Sequence, residues 1–184
     1  MPGTWGFGLW NDPFALSLGF GGKQRLPSLP NAAWFFFASP ENHLSLRDDL
    51  PANGLMTAVF RANPKLLAMF ALSAPIFPLA LWKPSSKLIR SAVSKGIHQD
   101  ARQLDLNPQN WHNYSMLWEE EQVRFWVDDK AVFSTSISPH PPLGFLLWID
   151  NQYAAWPSDG RISYGTLSTN EDQWLEIKDI HLSA

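Results

Sequence analysis

The first third of the chain alternates short apolar and aromatic runs with clusters of Gly, Pro and Asn. Because punctuated runs of this kind are typical of strands joined by turns, they predict four β-strands, over Trp5–Trp10, Ala33–Ala38, His43–Arg47 and Leu55–Arg61. The second run, AWFFFA, is apolar at every position and lies between Pro30 and Pro40. A strand with this composition is buried on both faces, so we expect it at the centre of a sheet.

The last part of the chain, from residue 107 onward, has a period of two. Bulky apolar side chains occupy every second position around a run of three glutamates, at Tyr114, Met116 and Trp118 before it and at Val123, Phe125 and Val127 after it. This alternation predicts a β-hairpin. Further strands are predicted over Val132–Thr135, Gly144–Asp150 and Trp174–Leu182, the last with an irregularity near Lys178. Many short strands with frequent turns indicate a mainly β fold, which we predict to be a jelly-roll β-sandwich.

Residues 63–106 interrupt this pattern and predict a helical insertion. The run from Leu66 to Trp82 contains no charged residue, which is close to the composition of a membrane-spanning segment. Pro75 and Pro78 lie inside the run, where they would break a straight helix. We therefore expect an interfacial, re-entrant or buried helix rather than a straight transmembrane helix.

The second half of the insertion is amphipathic and basic. Apolar residues recur at helical spacing behind a cap at Ser85 or Ser86, at Leu88, Ile89, Ala92, Val93 and Ile97. Basic residues outnumber the single acidic residue, Asp100; they are Lys83, Lys87, Arg90, Lys95 and Arg102. Three roles for residues 66–102 stay open: a cover for the open face of the sandwich or a homodimer contact, a membrane-surface anchor, and a lid over an apolar ligand.

The composition narrows the range of functions. With 184 residues the chain has the length of one domain, and we take residues 1–184 as a single unit. It has 14 basic and 17 acidic residues and a formal net charge of −3, which disfavours nucleic acid as a partner. The absence of cysteine excludes a disulfide framework and a thiolate nucleophile. The first residues, MPGTWG, lack the basic start and apolar run of a signal peptide, so a cytoplasmic or membrane-peripheral location is the expectation.

Four segments resemble one known group of β-sandwich proteins. They are Gly3–Phe14 (GTWGFGLWNDPF), Trp111–Trp118 (WHNYSMLW), Val123–Val132 (VRFWVDDKAV) and Trp174–Leu182 (WLEIKDIHL). In order and content they are similar to the concanavalin A-like lectin and glucanase superfamily, particularly glycoside hydrolase family sixteen. The middle two match that family's W-H-x-Y-x-x-x-W and x-x-F-x-V-D-G-x-x-V hairpin, with Asp129 where glycine is usual. The stretches PNAAWFFFASPENHLSLRDDLP and LWIDNQYAAWP also resemble an uncharacterised bacterial group, which brings no activity with it.

The resemblance implies the fold more strongly than the activity. Hydrolases of family sixteen place E-x-D-x-E or E-x-D-x-x-E on one strand, because retaining hydrolysis needs two carboxylates about 5–5.5 Å apart. The strand at the corresponding place here is Ala33–Ala38, which has no carboxylate. The leading hypothesis is a glucanase-like domain without this motif that binds a saccharide or a partly apolar ligand in an aromatic cleft. The alternative is a glycoside hydrolase with relocated carboxylates, for which Asp12 and Asp150 are the candidates.

Candidate ligand-binding residues come from the tryptophans and from polar strand ends. Indole rings offer flat apolar faces to the C–H face of a pyranose, and polar side chains directly follow the apolar strand that ends near Ile149. These features select Trp10, Asn11, Trp126, Trp148, Asn151, Gln152 and Tyr153, with Trp156 as a further stacking candidate. Core packing of the tryptophans and ordinary turn roles of the polar residues are the competing interpretations. The 5 histidines have no metal-ligand spacing, so neither a metal site nor a cofactor is predicted.

Overall fold

The computed structural model describes residues 1–11, 30–63 and 82–183 of the chain. These residues form strands and one helix with the following bounds: β1 (Thr4–Trp10), β2 (Asn31–Ala38), β3 (Gly54–Ala62), α1 (Lys83–Gly96), β4 (Ile97–Gln103), β5 (Tyr114–Trp118), β6 (Val123–Val127), β7 (Lys130–Thr135), β8 (Gly144–Asp150), β9 (Gln152–Ala155) and β10 (Ser163–Thr166). All but two of the predicted strands are present, and their ends differ from the predicted ends by no more than about two residues.

Five antiparallel strands form the main sheet, in the order β4-β3-β2-β1-β8. The central position of β2 confirms what its uninterrupted apolar sequence predicts, since Ala33 is fully buried and Phe35 and Phe36 are each 2% exposed. Successive residues of a strand point to opposite faces, so this burial requires a packed layer on each side of the sheet. A three-stranded sheet, β5-β6-β7, supplies one layer, and α1 with its flanking loops supplies the other.

The alternation of side chains along β2 separates two hydrophobic cores. The sandwich core lies between the two sheets and includes Phe35, Val59, Val123 and Phe125. The helix-side core lies on the opposite face of the main sheet and includes Phe36, Met56, Phe60 and Val93. The protein is thus mainly β and has the jelly-roll β-sandwich architecture expected from its sequence, with one helix packed on the main sheet.

The helical part of the predicted insertion ends earlier than residue 106. Helix α1 ends at Gly96, and residues 97–103 form β4, which pairs with β3 at one edge of the described main sheet. Ile97, Gln99 and Ala101 are all buried, and this period of two is the pattern of a strand. Ile97 also continues the helical spacing of the preceding apolar residues. Because it fits both periods, the sequence did not show where the helix ends and β4 begins.

The charge-free run Leu66–Trp82 lies outside the described residues apart from Trp82, whose side chain is 65% exposed. In the part of the chain that the structure describes, no helix has the length and apolar composition needed to cross a membrane.

The strand predicted over His43–Arg47 is wrong. The backbone N–H groups there have scattered partners: His43 and Leu44 donate to the carbonyls of Ala154 and Ala52. Leu46 donates to Oε1 of Gln99 at 2.9 Å, and Arg47 donates to Oγ of Ser45 at 3.2 Å. Within the segment, His43 makes one isolated parallel bridge. Because side chains take the donors of Leu46 and Arg47, and the other two donors go to different segments, the residues form no continuous sheet ladder.

The strand predicted over Trp174–Leu182 is wrong as well. Leu175 packs against the sandwich core, whereas the side chains of Trp174 and Leu182 are 69% and 68% exposed. Asp179 has φ 57°, next to the irregularity expected at Lys178. An extended segment becomes a strand only where a neighbour accepts its hydrogen bonds, and no strand among the described residues pairs with it.

Hydrogen bonds from Arg90 anchor α1 to the loops beside the main sheet. Arg90 is 7% exposed, its Nε donates to the carbonyl of Trp156 at 2.8 Å, and its Nη2 donates to the carbonyl of Ser45 at 3.3 Å and to Asp48 at 2.9 Å. The indole N–H of Trp156 donates to Oγ of Ser86 on the same helix at 2.9 Å. One of the four basic residues of α1 is therefore a buried structural group and not part of the solvated face.

Candidate functional site

Three tryptophans form a cluster on the helix-side face of the main sheet. The ring centroid of Trp34, on β2, lies 5.4 Å from that of Trp10 and 5.3 Å from that of Trp148. The rings are inclined to one another by 63° and 58°, which is the edge-to-face range that aromatic pairs favour. All three side chains are partly exposed and pack against the helix-side core. We call them the tryptophan cluster.

Two glycines of β1 make the close approach of these rings possible. Gly6 and Gly8 lie between the tryptophan strands, since β1 pairs with β2 on one side and with β8 on the other. A Cβ atom at Gly6 would lie 2.5 Å from Cη2 of Trp148, and one at Gly8 would lie 2.6 Å from Cα of Trp34. The G-x-G spacing in WGFG therefore leaves the middle of β1 without side chains on the face that carries Trp34 and Trp148.

A chain of hydrogen bonds links the tryptophan cluster to Asp150. The indole N–H of Trp148 donates to Oγ1 of Thr4 at 3.0 Å, and that hydroxyl donates to Oδ1 of Asp150 at 3.0 Å. The backbone N–H of Gln152 donates to the same carboxylate oxygen, also at 3.0 Å. Asp150, one of the two carboxylates named from the sequence, is thus held in a fixed orientation on the side of β8 that carries Trp148.

A cleft of about 210 Å³ lies at the end of β8. Its lining is mostly polar and consists of Ile149, Asp150, Asn151, Thr169, Glu171, Asp172 and Gln173. Asn151 holds the two sides together, because its Nδ2 donates to the carbonyl of Leu167 at 2.9 Å and its own carbonyl accepts the N–H of Leu167 at 2.7 Å. Three acidic residues and three uncharged polar residues therefore line one space.

Sequence reasoning missed the second side of this cleft. Glu171, Asp172 and Gln173 lie in a segment without regular secondary structure, so no strand pattern singled them out. The available signal was the polar run STNEDQ between Leu167 and Trp174, which is unusual in a chain of this composition. Asp12, the other carboxylate of the hydrolase hypothesis, lies outside the described residues.

The remaining candidates from the sequence occupy separate places. Asn11 follows β1, and its Oδ1 accepts the N–H of Asn31, the first residue of β2, at 3.0 Å. Gln152 is exposed, and Tyr153 packs over Gly165 of the neighbouring strand. Trp126 faces away from the sandwich core on the three-stranded sheet, and the structure does not bring it to the tryptophan cluster.

A second polar cluster lies at the start of the β5–β6 hairpin. Nδ1 of His112 is 2.7 Å from Oδ2 of Asp128, and its Nε2 is 3.1 Å from the carbonyl oxygen of Asn107. Both ring nitrogens face acceptors, so the doubly protonated imidazolium satisfies both contacts. The hydrogen bond to Asp128 raises the pKa of His112, and the same bond lowers the pKa of Asp128. The pair ties the loop after β4 to the turn after β6.

We expect the contribution of this pair to stability to be confined to a window of pH. His112 has a folded-state pKa above its usual 6.5, so its contribution is complete below that value and is lost as the pH rises through the raised pKa. Asp128 has a folded-state pKa below its usual 3.8, so its contribution is lost as the pH falls through the lowered pKa. Urea unfolding should show that His112→Gln lowers stability at mildly acidic pH and has little effect at alkaline pH.

The matched control is His98→Gln, because His98 is exposed on β4 and makes none of these contacts. If His112→Gln lowered the free energy of unfolding by the same amount from acidic to alkaline pH, the imidazolium would not be the stabilising form.

Within the described ranges, no group of three or more His, Asp or Glu side chains has the arrangement needed to hold a metal ion.

Comparison with known proteins gives one match. The model of the family described as glycosyl hydrolases family 16 matches residues 90–140, which run from the last turns of α1 through β7. No curated protein and no solved structure matches the chain. The matched residues include the β5–β6 hairpin but neither the tryptophan cluster nor the cleft. Together, the match and the mainly β architecture fit a glucanase-like jelly-roll fold of the concanavalin A-like superfamily.

Proposed function

We propose that this glucanase-like domain binds a saccharide across the tryptophan cluster and the adjoining cleft. The observation that carries the proposal is the row formed by Trp10, Trp34 and Trp148, partly exposed and connected through Thr4 to Asp150. A saccharide combines flat apolar C–H faces with hydroxyl groups at its ring edges. Indole faces followed by carboxylate and amide groups supply the matching surfaces in the same order.

The cleft of about 210 Å³ is below the range of about 300–1,000 Å³ typical of drug-sized ligands. Its size supports a role in holding one residue of a longer saccharide.

Affinity electrophoresis in gels that contain soluble β-glucans tests the proposal. The migration of the wild-type protein should be retarded, and Trp10→Ala should raise the dissociation constant about tenfold because one stacking surface is removed. Trp126→Ala is the matched control, since Trp126 lies on the outer face of the other sheet. Trp10→Tyr, which keeps a ring at the position, separates a lost contact from lost folding. Equal losses for Trp10→Ala and Trp126→Ala, or no retardation by any glucan while an apolar dye binds, would contradict saccharide binding at this cluster.

The three carboxylates of the cleft favour hydrolysis of the bound saccharide as a second candidate function. Glycoside hydrolysis uses a pair of carboxyl groups, one as acid and one as base or nucleophile, and Asp150, Glu171 and Asp172 supply three carboxyl groups. If the protein releases reducing sugar from a β-glucan, Glu171→Gln or Asp172→Asn should abolish the release while retardation in the gel persists. Glu176→Gln, outside the cleft, is the control. Activity that survived substitution of all three cleft carboxylates would rule this site out.

A further inference from the structure

Helix α1 has one face packed on the molecule and one face in solvent. The packed face carries Ser86, Arg90, Val93 and Gly96, which are buried at a spacing of three to four residues. Ile89 also packs against the helix-side core, and most of the other residues between them are exposed. The outer face includes Lys83, Lys87, Leu88, Ala92 and Lys95, all of which are exposed.

Two large apolar side chains are presented on this outward side. Leu88 is 74% exposed, and Trp82, which immediately precedes the helix, is 65% exposed. A helix that served only to cover the sheet would turn such residues inward, and the described fold already buries the other face of α1. The sequence before the helix is apolar as well, since no charged residue occurs from Leu66 through Trp82.

The charged side chains on the same face of the helix are all lysines. Helix α1 has no acidic residue, although the chain as a whole has a net charge of −3. Lys83, Lys87 and Lys95 form no ion pair with any carboxylate of the described residues. Asp159 is itself paired with Arg161, whose hydrogen bonds lower the pKa of that carboxyl, and the charge of Lys83 adds to the same shift. Arg90 takes no part, because it is buried against Asp48.

We propose that the outer face of α1 binds an anionic phospholipid bilayer. Leu88 and Trp82 would enter the interfacial region, and the three lysines would contact lipid phosphates. Charge complementarity selects this partner over a second copy of the chain. A two-fold symmetric dimer through α1 would bring the lysines of one copy against the same lysines of the other, in surroundings that offer them no carboxylate.

Vesicle co-sedimentation tests the proposal independently of saccharide binding, because none of these residues belongs to the tryptophan cluster or the cleft. The full chain should sediment with vesicles of phosphatidylcholine and phosphatidylserine in equal amounts at low salt. It should not sediment with phosphatidylcholine alone, and added salt should release it. Each of Lys83→Gln, Lys87→Gln and Lys95→Gln should lower the partition coefficient roughly fivefold, and the triple variant about a hundredfold.

The matched control is Lys130→Gln with Lys178→Gln, which removes lysines from the start of β7 and from the segment after β10. This variant should sediment as the wild type does. Leu88→Ser should weaken sedimentation, whereas Leu182→Ser, at a residue that is 68% exposed elsewhere, should not. Equal sedimentation of the triple variant and its control would overturn the proposal. So would a concentration-dependent dimer that Leu88→Ser abolishes in a protein that binds no vesicles.

Discussion

Gly6→Ala is expected to lower the free energy of unfolding by about 3 kcal/mol or more. The added Cβ would lie 2.5 Å from Cη2 of Trp148 and 2.7 Å from both the carbonyl oxygen of Phe35 and Cβ of Phe36. Two of these three atoms belong to the backbone or to the base of a side chain, so they cannot rotate away. The strand cannot shift either, because β1 is hydrogen-bonded to β2 and β8 along its whole length.

Gly144→Ala is the matched control for this experiment. Gly144 lies on β8 opposite Trp10, and a Cβ there would meet its nearest atom, the carbonyl oxygen of Trp10, at 3.9 Å. Urea or guanidinium unfolding of both variants measures the difference, and Gly144→Ala should stay close to the wild type. A stability of Gly6→Ala equal to that of Gly144→Ala would mean that Trp148 is not packed on β1. Since Trp148 belongs to the tryptophan cluster, Gly6→Ala should also weaken glucan binding.

Arg90→Met is expected to lower the free energy of unfolding by about 2–4 kcal/mol. Most of the effect comes from the carbonyls of Trp156 and Ser45, which lose the guanidinium donors at 2.8 and 3.3 Å and keep no charged partner. The ion pair with Asp48 contributes less, because the Asp48 side chain is 61% exposed and water replaces its partner. Methionine retains much of the packing volume, so the measurement reports mainly on the hydrogen bonds.

Lys87→Met is the control for Arg90→Met, since Lys87 is exposed one turn earlier on the same helix. Its effect on unfolding should stay within about 0.5 kcal/mol of zero. Amide hydrogen exchange locates the change: α1 and the loop around Ser45 should lose protection in Arg90→Met, while β5 and β6 should keep theirs. If amide protection in Arg90→Met fell evenly over both sheets, the role of Arg90 would not be confined to anchoring the helix.

Much of the fold could be predicted from local pattern. The run AWFFFA predicted that both faces of β2 are buried, and apolar residues at every second position predicted the β5–β6 hairpin. These predictions succeeded because a strand's periodicity depends only on which face meets the core. The match of residues 90–140 to glycosyl hydrolases family 16 covers the same hairpin that carried the resemblance.

The sequence alone determined the class of fold, the strands with clear alternation and the basic amphipathic character of α1. Tertiary structure decided what local pattern left ambiguous. Ile97 suited helix and strand equally, and pairing with β3 made it strand. The side chains of Ser45 and Gln99 interrupted a predicted strand by accepting the backbone N–H groups of Arg47 and Leu46.

The candidate site depended still more on tertiary structure. Trp10, Trp34 and Trp148 are brought together by pairing across three strands. Glu171 lines the same cleft as Asp150, and hydrogen bonds between Asn151 and Leu167 hold the two sides of that cleft together. Such contacts join residues far apart in the chain, and their geometry follows from sheet register and loop closure. The periodicity of a single segment determines neither sheet register nor loop closure. The sequence could therefore identify several of these residues but could not show that they lie together.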